Sequence, residues 1–200
     1  MTRIPHADND AIAALAHHLE SLSGHFPELP NSMKTMAWRP EMVPPMVALW
    51  NVIMHSGTVP RALKWMVGHI ASRAHGCQYC SAHTAKGASI DGIADEKVEA
   101  LWTFEQSELF TAGEKAALRV ALGAAQVPNA TTDEDFAELR QHYTPPEIVE
   151  IISVVSIYGF FNRWNDTFAT TLESAPLDFA RARLGEQGWH VGKHVDQALE

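Results

Sequence analysis

Cysteine is nearly absent from this chain, with two in 200 residues, which excludes the small secreted scaffold held together by several disulfides. Long apolar runs are absent as well: no stretch approaches the roughly 18 residues that a membrane-spanning helix needs. The N-terminus, Met1-Thr2-Arg3-Ile4-Pro5-His6-Ala7-Asp8, lacks the apolar core of a signal peptide. Basic charge is in deficit, 15 Lys and Arg against 24 Asp and Glu for a formal net charge of −9, and no basic run or aromatic-basic interleaving occurs. Neither nucleic acid nor a membrane surface is therefore an expected partner. Together these absences point to a cytoplasmic protein, in a compartment where a cysteine pair cycles rather than serving as a permanent staple.

What is present is an ordinary globular composition, 46% hydrophobic and 20% charged, enough for one substantial core. Helical periodicity dominates it. Ile12, Leu15, Leu19 and Leu22 form one apolar stripe on a first helix over residues 8–22, capped by Asp8 or Asn9. Residues 25–40 read as an irregular connection. A short helix follows over 45–54, stopped at Ser56-Gly57, and a longer one over 61–75 with Leu63, Met66, Val67 and Ile70 on its buried side. The next helix starts at Cys77 and runs to about residue 88. Helices over 95–104, 111–125 and 133–142 come after it, the second opened by a capping box in Thr111-Ala112-Gly113-Glu114.

The last strong element starts at the capping box Thr144-Pro145-Pro146-Glu147 and runs to Phe161. Its β-branched richness suggests a strand, but non-apolar residues recur every third position rather than every second, which is a helical trait. Apolar residues then appear on every side, so this helix is expected to be central or to meet a second copy of the chain. An internal echo accompanies it. Moving Cys77 and Cys80 forward by 85 positions lands on Asn162 and Asn165, each pair preceded by a long apolar helix, which hints at a duplicated helical unit. The predicted fold is all-α.

Both cysteines fall in Gly76-Cys77-Gln78-Tyr79-Cys80-Ser81-Ala82-His83. A thiol attacks peroxides or disulfides only as the thiolate, so a reactive cysteine needs a helix N-terminus, a base or a second thiol beside it. Here Cys77 would cap the helix, Cys80 would lie in its first turn, and His83 would share a face with Cys80 at i, i+3. On this reading Cys80 is the more acidic and more exposed thiol, and closure of the pair into a disulfide makes turnover possible. Other readings compete. His75, Cys77, Cys80 and His83 could be zinc ligands, but four ligands around one helix start hardly converge on a tetrahedron. Attachment of c-type haem needs His directly after the second cysteine, where Ser81 stands. Two plain buried cysteines are the third alternative.

The run from Ala71 to Ala85, ASRAHGCQYCSAHTA, resembles the signature of the carboxymuconolactone decarboxylase and alkylhydroperoxidase superfamily. Arg39-Pro40-Glu41, residues 63–71, Phe161-Asn162-Arg163-Trp164-Asn165-Asp166 and Gly188-Trp189-His190-Val191-Gly192-Lys193-His194 are similar to further parts of its longer members, so the resemblance covers most of residues 38–195. It implies one AhpD-like helical bundle over residues 1–200, with a core over about 38–175 and a tail over 176–200, assembled as a trimer or hexamer. In the cysteine-bearing branch it implies reduction of organic hydroperoxides at the expense of an external dithiol, with no cofactor and no metal. There the second cysteine attacks and the first resolves; here these are Cys80 and Cys77. A non-catalytic redox sensor and a lactone decarboxylase are the alternatives.

Some positions depart from the family pattern. Its glutamate twelve residues before the first cysteine, its histidine between the cysteines and its histidine four residues after the second are here Trp65, Tyr79 and Thr84. His83 sits one residue early, and the glutamate–histidine proton relay is not expected to be intact. His69, one turn after Trp65 and two turns before Cys77, is the expected substitute in the proton path. The expected site is Cys80, Cys77, His83 and His69.

Overall fold

Three threonines write helix starts into the local sequence. Thr111 accepts the Glu114 N–H at 3.2 Å while the Glu114 carboxylate accepts the Thr111 N–H at 2.8 Å. Thr132 and Asp135 make the same exchange at 3.1 and 3.0 Å, and Glu147 accepts the Thr144 N–H at 2.8 Å. Caps of this kind satisfy N–H groups that have no partner inside the helix and are worth about 1 kcal/mol each.

They open three of the eleven α-helices in the computed structural model of the chain, which describes residues 2–23 and 28–195. The order is α1 (Asn9–Ala13), α2 (Ala16–Ser23), α3 (Asn31–Met36), α4 (Val43–His55), α5 (Arg61–Ala74), α6 (Gln78–Ile90), α7 (Asp95–Glu99), α8 (Ala112–Ala124), α9 (Asp133–His142), α10 (Pro145–Phe168) and α11 (Ser174–Leu184). Short 3-10 turns occupy Pro40–Met42, Ala100–Thr103, Gly185–Gln187 and Gly192–His194. The described residues contain no strand, so the fold is all-α. Among them no helix is long and apolar enough to cross a membrane.

Helix α5 is the hub. It packs against α6, α8 and α10, and α6 packs in turn against α10 and α11. Trp65, Met66, Val67 and Ile70 all lie in this core, each side chain contributing about 1.5–3 kcal/mol by leaving water. Gly68 lets α10 approach: a Cβ there would come within 2.6 Å of the Tyr158 ring. Lys64, only 1% exposed, keeps its charge satisfied by donating to the carbonyls of Ile53 (2.9 Å) and Ser56 (2.6 Å) and pairing with Glu150 at 3.0 Å. Glu150 also accepts the N–H groups of Thr58 and Val59 at 2.9 and 3.1 Å. This cluster ties the α4–α5 connection to α10.

The structure differs from the sequence reading at several elements, among them the helix expected over 95–104, which is α7 followed by the 3-10 turn Ala100–Thr103. The first helix is two, α1 and α2, interrupted at Ala14-Leu15. The stretch expected to be irregular includes α3; residues 24–27 of it lie outside the described part. Ser32, Met33, Thr35 and Met36 of α3 are buried, so long-range packing holds a helix for which Asn, Ser and Thr give little local preference. Helix α10 continues past Phe161 to Phe168 and ends where Ala169 adopts a left-handed backbone (φ 49°). Its burial is one-sided: Ile151, Val154, Ile157, Tyr158, Asn162 and Asn165 face inward, whereas Val149 is 65% exposed. Helix α11 carries no strong local signal.

Candidate active site

The turn between α5 and α6 delivers both cysteines. Gly76 takes φ +76°, a backbone region that costs other residues about 1 kcal/mol or more, and Cys77 follows as the N-cap of α6. The Cys77 sulfur accepts the Cys80 N–H at 3.5 Å, so it occupies the position that a capping oxygen would take. Both thiols are free and both are buried, Cys77 1% and Cys80 3% exposed. The Asn165 side-chain N–H donates to the Cys80 sulfur at 3.4 Å.

This geometry corrects the expectation of an acidic Cys80. Burial pushes the Cys80 thiol well above its ordinary range, the neighbouring Cys77 sulfur adds to the rise, and the Asn165 N–H only partly offsets it. The favourable helix-cap position belongs to Cys77. At rest Cys80 is therefore a protonated thiol that needs a base.

Cys80 opens into a cavity of about 60 Å³ whose walls are mostly apolar, with Met33, Trp50, Tyr158 and Phe161 among them. His83 and Asn165 line the same cavity. His83 is held by a carboxylate the sequence reading missed: its Nε2 lies 2.6 Å from Glu173 Oε2. The other Glu173 oxygen accepts the Tyr79 hydroxyl at 2.8 Å and the Asn31 N–H. Burial by itself would raise the Glu173 carboxyl, but His83 and the Asn31 N–H outweigh it and bring the carboxyl below its usual value. Glu173 comes from the connection between α10 and α11, where the chain turns back after Ala169, so a glutamate–histidine pair exists although its glutamate is not the expected one. Trp65, which holds the expected position, instead donates its indole N–H to Asp91 at 2.5 Å.

His69 is outside the cavity wall. Its Nδ1 lies 3.0 Å from the Ser81 carbonyl oxygen and 3.3 Å from the Thr84 hydroxyl, and its Nε2 is buried with no hydrogen-bond partner among the described residues. Burial lowers its pKa to about 3, with the Arg73 charge adding to the fall and the Ser81 carbonyl opposing it. The cavity thus brings Cys80 and His83 together, with Cys77 beside Cys80 at the helix cap, while His69 braces the first turns of α6. Trp189 in the tail braces them too, donating to the Ser81 hydroxyl (3.0 Å) and the Gln78 carbonyl (3.2 Å). Among the described residues no three His, Cys, Asp or Glu side chains converge on a metal position.

Comparison with known proteins bears on the fold and on the segment that carries the cysteines. Residues 40–122 match the carboxymuconolactone decarboxylase family. The uncharacterized protein YdfG of Bacillus subtilis is 21% identical over 108 residues, 53% of this chain and 73% of its own. The crystal structure of the debrominase Bmp8, in a cysteine-to-alanine form bound to 2,3,4-tribromopyrrole, superposes with a TM-score of 0.86 at 27% identity, covering 91% of this chain and 97% of that one. An AhpD-core, peroxidase-related protein from Ralstonia eutropha gives a TM-score of 0.75 at 19% identity over 92% of this chain and 97% of that one, a likeness of fold. The segment over residues 40–122, which carries the CxxC pair at the start of α6, is thus similar to the carboxymuconolactone decarboxylase family, and the chain as a whole shares the AhpD-like helical fold.

Proposed function

We propose that this protein is a dithiol peroxidase for small apolar organic hydroperoxides. The observation that carries the reading is the division of labour between the thiols: Cys80 faces an apolar cavity and is held by Asn165, while Cys77 sits beside it at the helix cap. His83, oriented by Glu173, takes the Cys80 proton. The thiolate attacks the terminal peroxide oxygen; an S–O bond forms, the O–O bond breaks, and the products are a sulfenic acid and an alcohol. Cys77 then attacks the Cys80 sulfur, a disulfide forms and water leaves. An external dithiol returns the pair to its reduced state by exchange. His69 acts as a positioning residue for the α6 turn that carries Cys80.

A second reading is favoured by the likeness to Bmp8 over more than nine-tenths of both chains. In it, Cys80 takes a halogen from a small aromatic ring, the ring carbon takes a proton, and Cys77 displaces halide as the disulfide forms. Both readings spend one dithiol per substrate.

The test is consumption of tert-butyl hydroperoxide and of 2,3,4-tribromopyrrole in the presence of excess dithiothreitol. Multiple turnovers with the hydroperoxide, abolished by Cys80→Ser, are expected. With dithiothreitol left out, Cys77→Ser should consume one equivalent of hydroperoxide and leave a sulfenic acid that dimedone traps, whereas the unaltered chain should end as the Cys77–Cys80 disulfide. Bromide release without peroxide turnover would favour the second reading. A single equivalent of oxidant consumed by the unaltered chain would make it a sensor, and turnover that survives loss of both cysteines would remove the thiol chemistry altogether.

A further inference from the structure

Two polar atoms in the cavity are left with nothing to do. The Tyr158 hydroxyl accepts a hydrogen bond from the Trp50 indole N–H, and among the described residues nothing accepts its own proton. Asn165 uses its N–H on the Cys80 sulfur, while its carbonyl oxygen is buried without a partner. Both residues are almost fully buried and both line the cavity into which Cys80 opens. A buried donor and a buried acceptor left unpaired each cost free energy unless a ligand satisfies them.

The arrangement is held in place. The Tyr158 ring lies against Gly68 of α5, where no side chain could fit without displacing it. Trp50 fixes the hydroxyl oxygen from α4, which leaves the O–H as the free donor. The Asn165 carboxamide bridges two tasks, since its N–H is on the attacking sulfur and its carbonyl oxygen is available to whatever the sulfur attacks.

We propose that Tyr158 is the catalytic proton donor to the departing oxygen and that Asn165 orients the peroxide by accepting its terminal O–H. This inference rests on the hydroperoxide reading above, and it deepens that reading by saying which end of the substrate each residue meets. A hydroperoxide R–O–O–H matches the pair: its outer oxygen carries a proton for Asn165, and its inner oxygen is an acceptor for Tyr158. As the Cys80 sulfur bonds to the outer oxygen and the O–O bond breaks, the inner oxygen leaves as an alkoxide and takes the Tyr158 proton to become the alcohol. The proton that His83 removed from Cys80 then returns to the Tyr158 phenolate across the cavity. The sum is thiol plus hydroperoxide giving sulfenic acid plus alcohol. Burial, the Cys80 charge adding to it, pushes the Tyr158 hydroxyl well above its ordinary range despite the Trp50 N–H, so it remains a donor throughout neutral pH.

The test separates proton donation from mere packing by changing the leaving group. An alkoxide needs a proton as it departs, whereas the carboxylate released by a peracid does not. With Tyr158→Phe, oxidation of Cys80 by tert-butyl hydroperoxide should slow by about 10²- to 10³-fold, and oxidation by peracetic acid should stay within about threefold. Alkylation of Cys80 by iodoacetamide should be unchanged. Trp50→Phe, which keeps the phenol and removes the N–H that aims it, should show the same selectivity at about tenfold. Asn165→Ala, which acts at the outer oxygen and the sulfur, should slow both oxidants alike. Equal losses with both oxidants in Tyr158→Phe, or no loss with either, would overturn the assignment while leaving the peroxidase reading intact. An unaltered protein that neither oxidant converts to the disulfide would overturn both.

Discussion

Asn165 stands 85 positions beyond Cys80 and donates its side-chain N–H to the Cys80 sulfur at 3.4 Å. The same offset relates Cys77 to Asn162, which is also buried. One half of the internal echo in the sequence is a contact in the fold: α10 brings Asn165 against Cys80 of α6.

Loss of the base should be rescued only by strong alkali. His83→Ala is expected to slow Cys80 oxidation by about 10- to 10³-fold at neutral pH, and Glu173→Gln, which leaves the imidazole but loosens its hold, by about tenfold. Burial and Cys77 raise the Cys80 thiol, so unaided ionisation comes at higher pH than for a free cysteine. Stopped-flow rates against pH check this. Equal loss at every pH would mean that the site had collapsed instead.

His69 makes stability depend on pH. Its folded pKa is lowered from 6.5 to about 3, so between those values the unfolded chain binds a proton that the folded chain refuses. The stability it contributes is complete above pH 6.5 and is lost as pH falls toward 3, on the order of 5 kcal/mol over the whole interval by linkage. His69→Gln should flatten urea-unfolding free energy measured from pH 7 to pH 4. A slope equal to that of the unaltered chain would disprove it.

The Lys64–Glu150 pair should behave asymmetrically. Glu150→Ala leaves a buried ammonium with two carbonyls but no counter-charge, and should cost about 3 kcal/mol. Adding Lys64→Met should recover part of that loss, because the charge that needed the carboxylate is then gone. Chemical denaturation of the three variants measures the difference, and a double variant less stable than Glu150→Ala alone would refute it.

Association through α10 is a further expected outcome. Two hollows of about 590 and 640 Å³ flank this helix and share Ile152, Ser156 and Phe160, and the family resemblance implies threefold-based association. Light scattering should give a trimer or hexamer, and Phe160→Glu should shift it toward the monomer. A monomeric unaltered chain at micromolar concentration would contradict this.

Much of the architecture was legible because its signals are local. The capping boxes of α8 and α10 rest on residues three apart, and the CxxC motif announces both its chemistry and the start of α6. The missing parts depend on distance along the chain. Glu173 reaches His83 only because Ala169 turns the chain back, a left-handed bend that no glycine marks. Helix α3 owes its order to burial of Met33 and Met36. Tyr158 looked like one more apolar position in α10, and its partners Trp50 and Gly68 lie on two other helices. Trp65 could be read as a departure from the family pattern, but not as evidence that another carboxylate had taken over.

The site is assembled from the two halves of the chain in a fixed temporal order. A ribosome extends from Cys77 to Asn165, and then to Glu173 and Trp189, so for much of synthesis the thiols exist without the amide that holds the sulfur, the carboxylate that steers the base or the indole that pins the turn. A nascent chain therefore carries two ordinary cysteines, and their enclosed surroundings arrive only with the segment that closes over them.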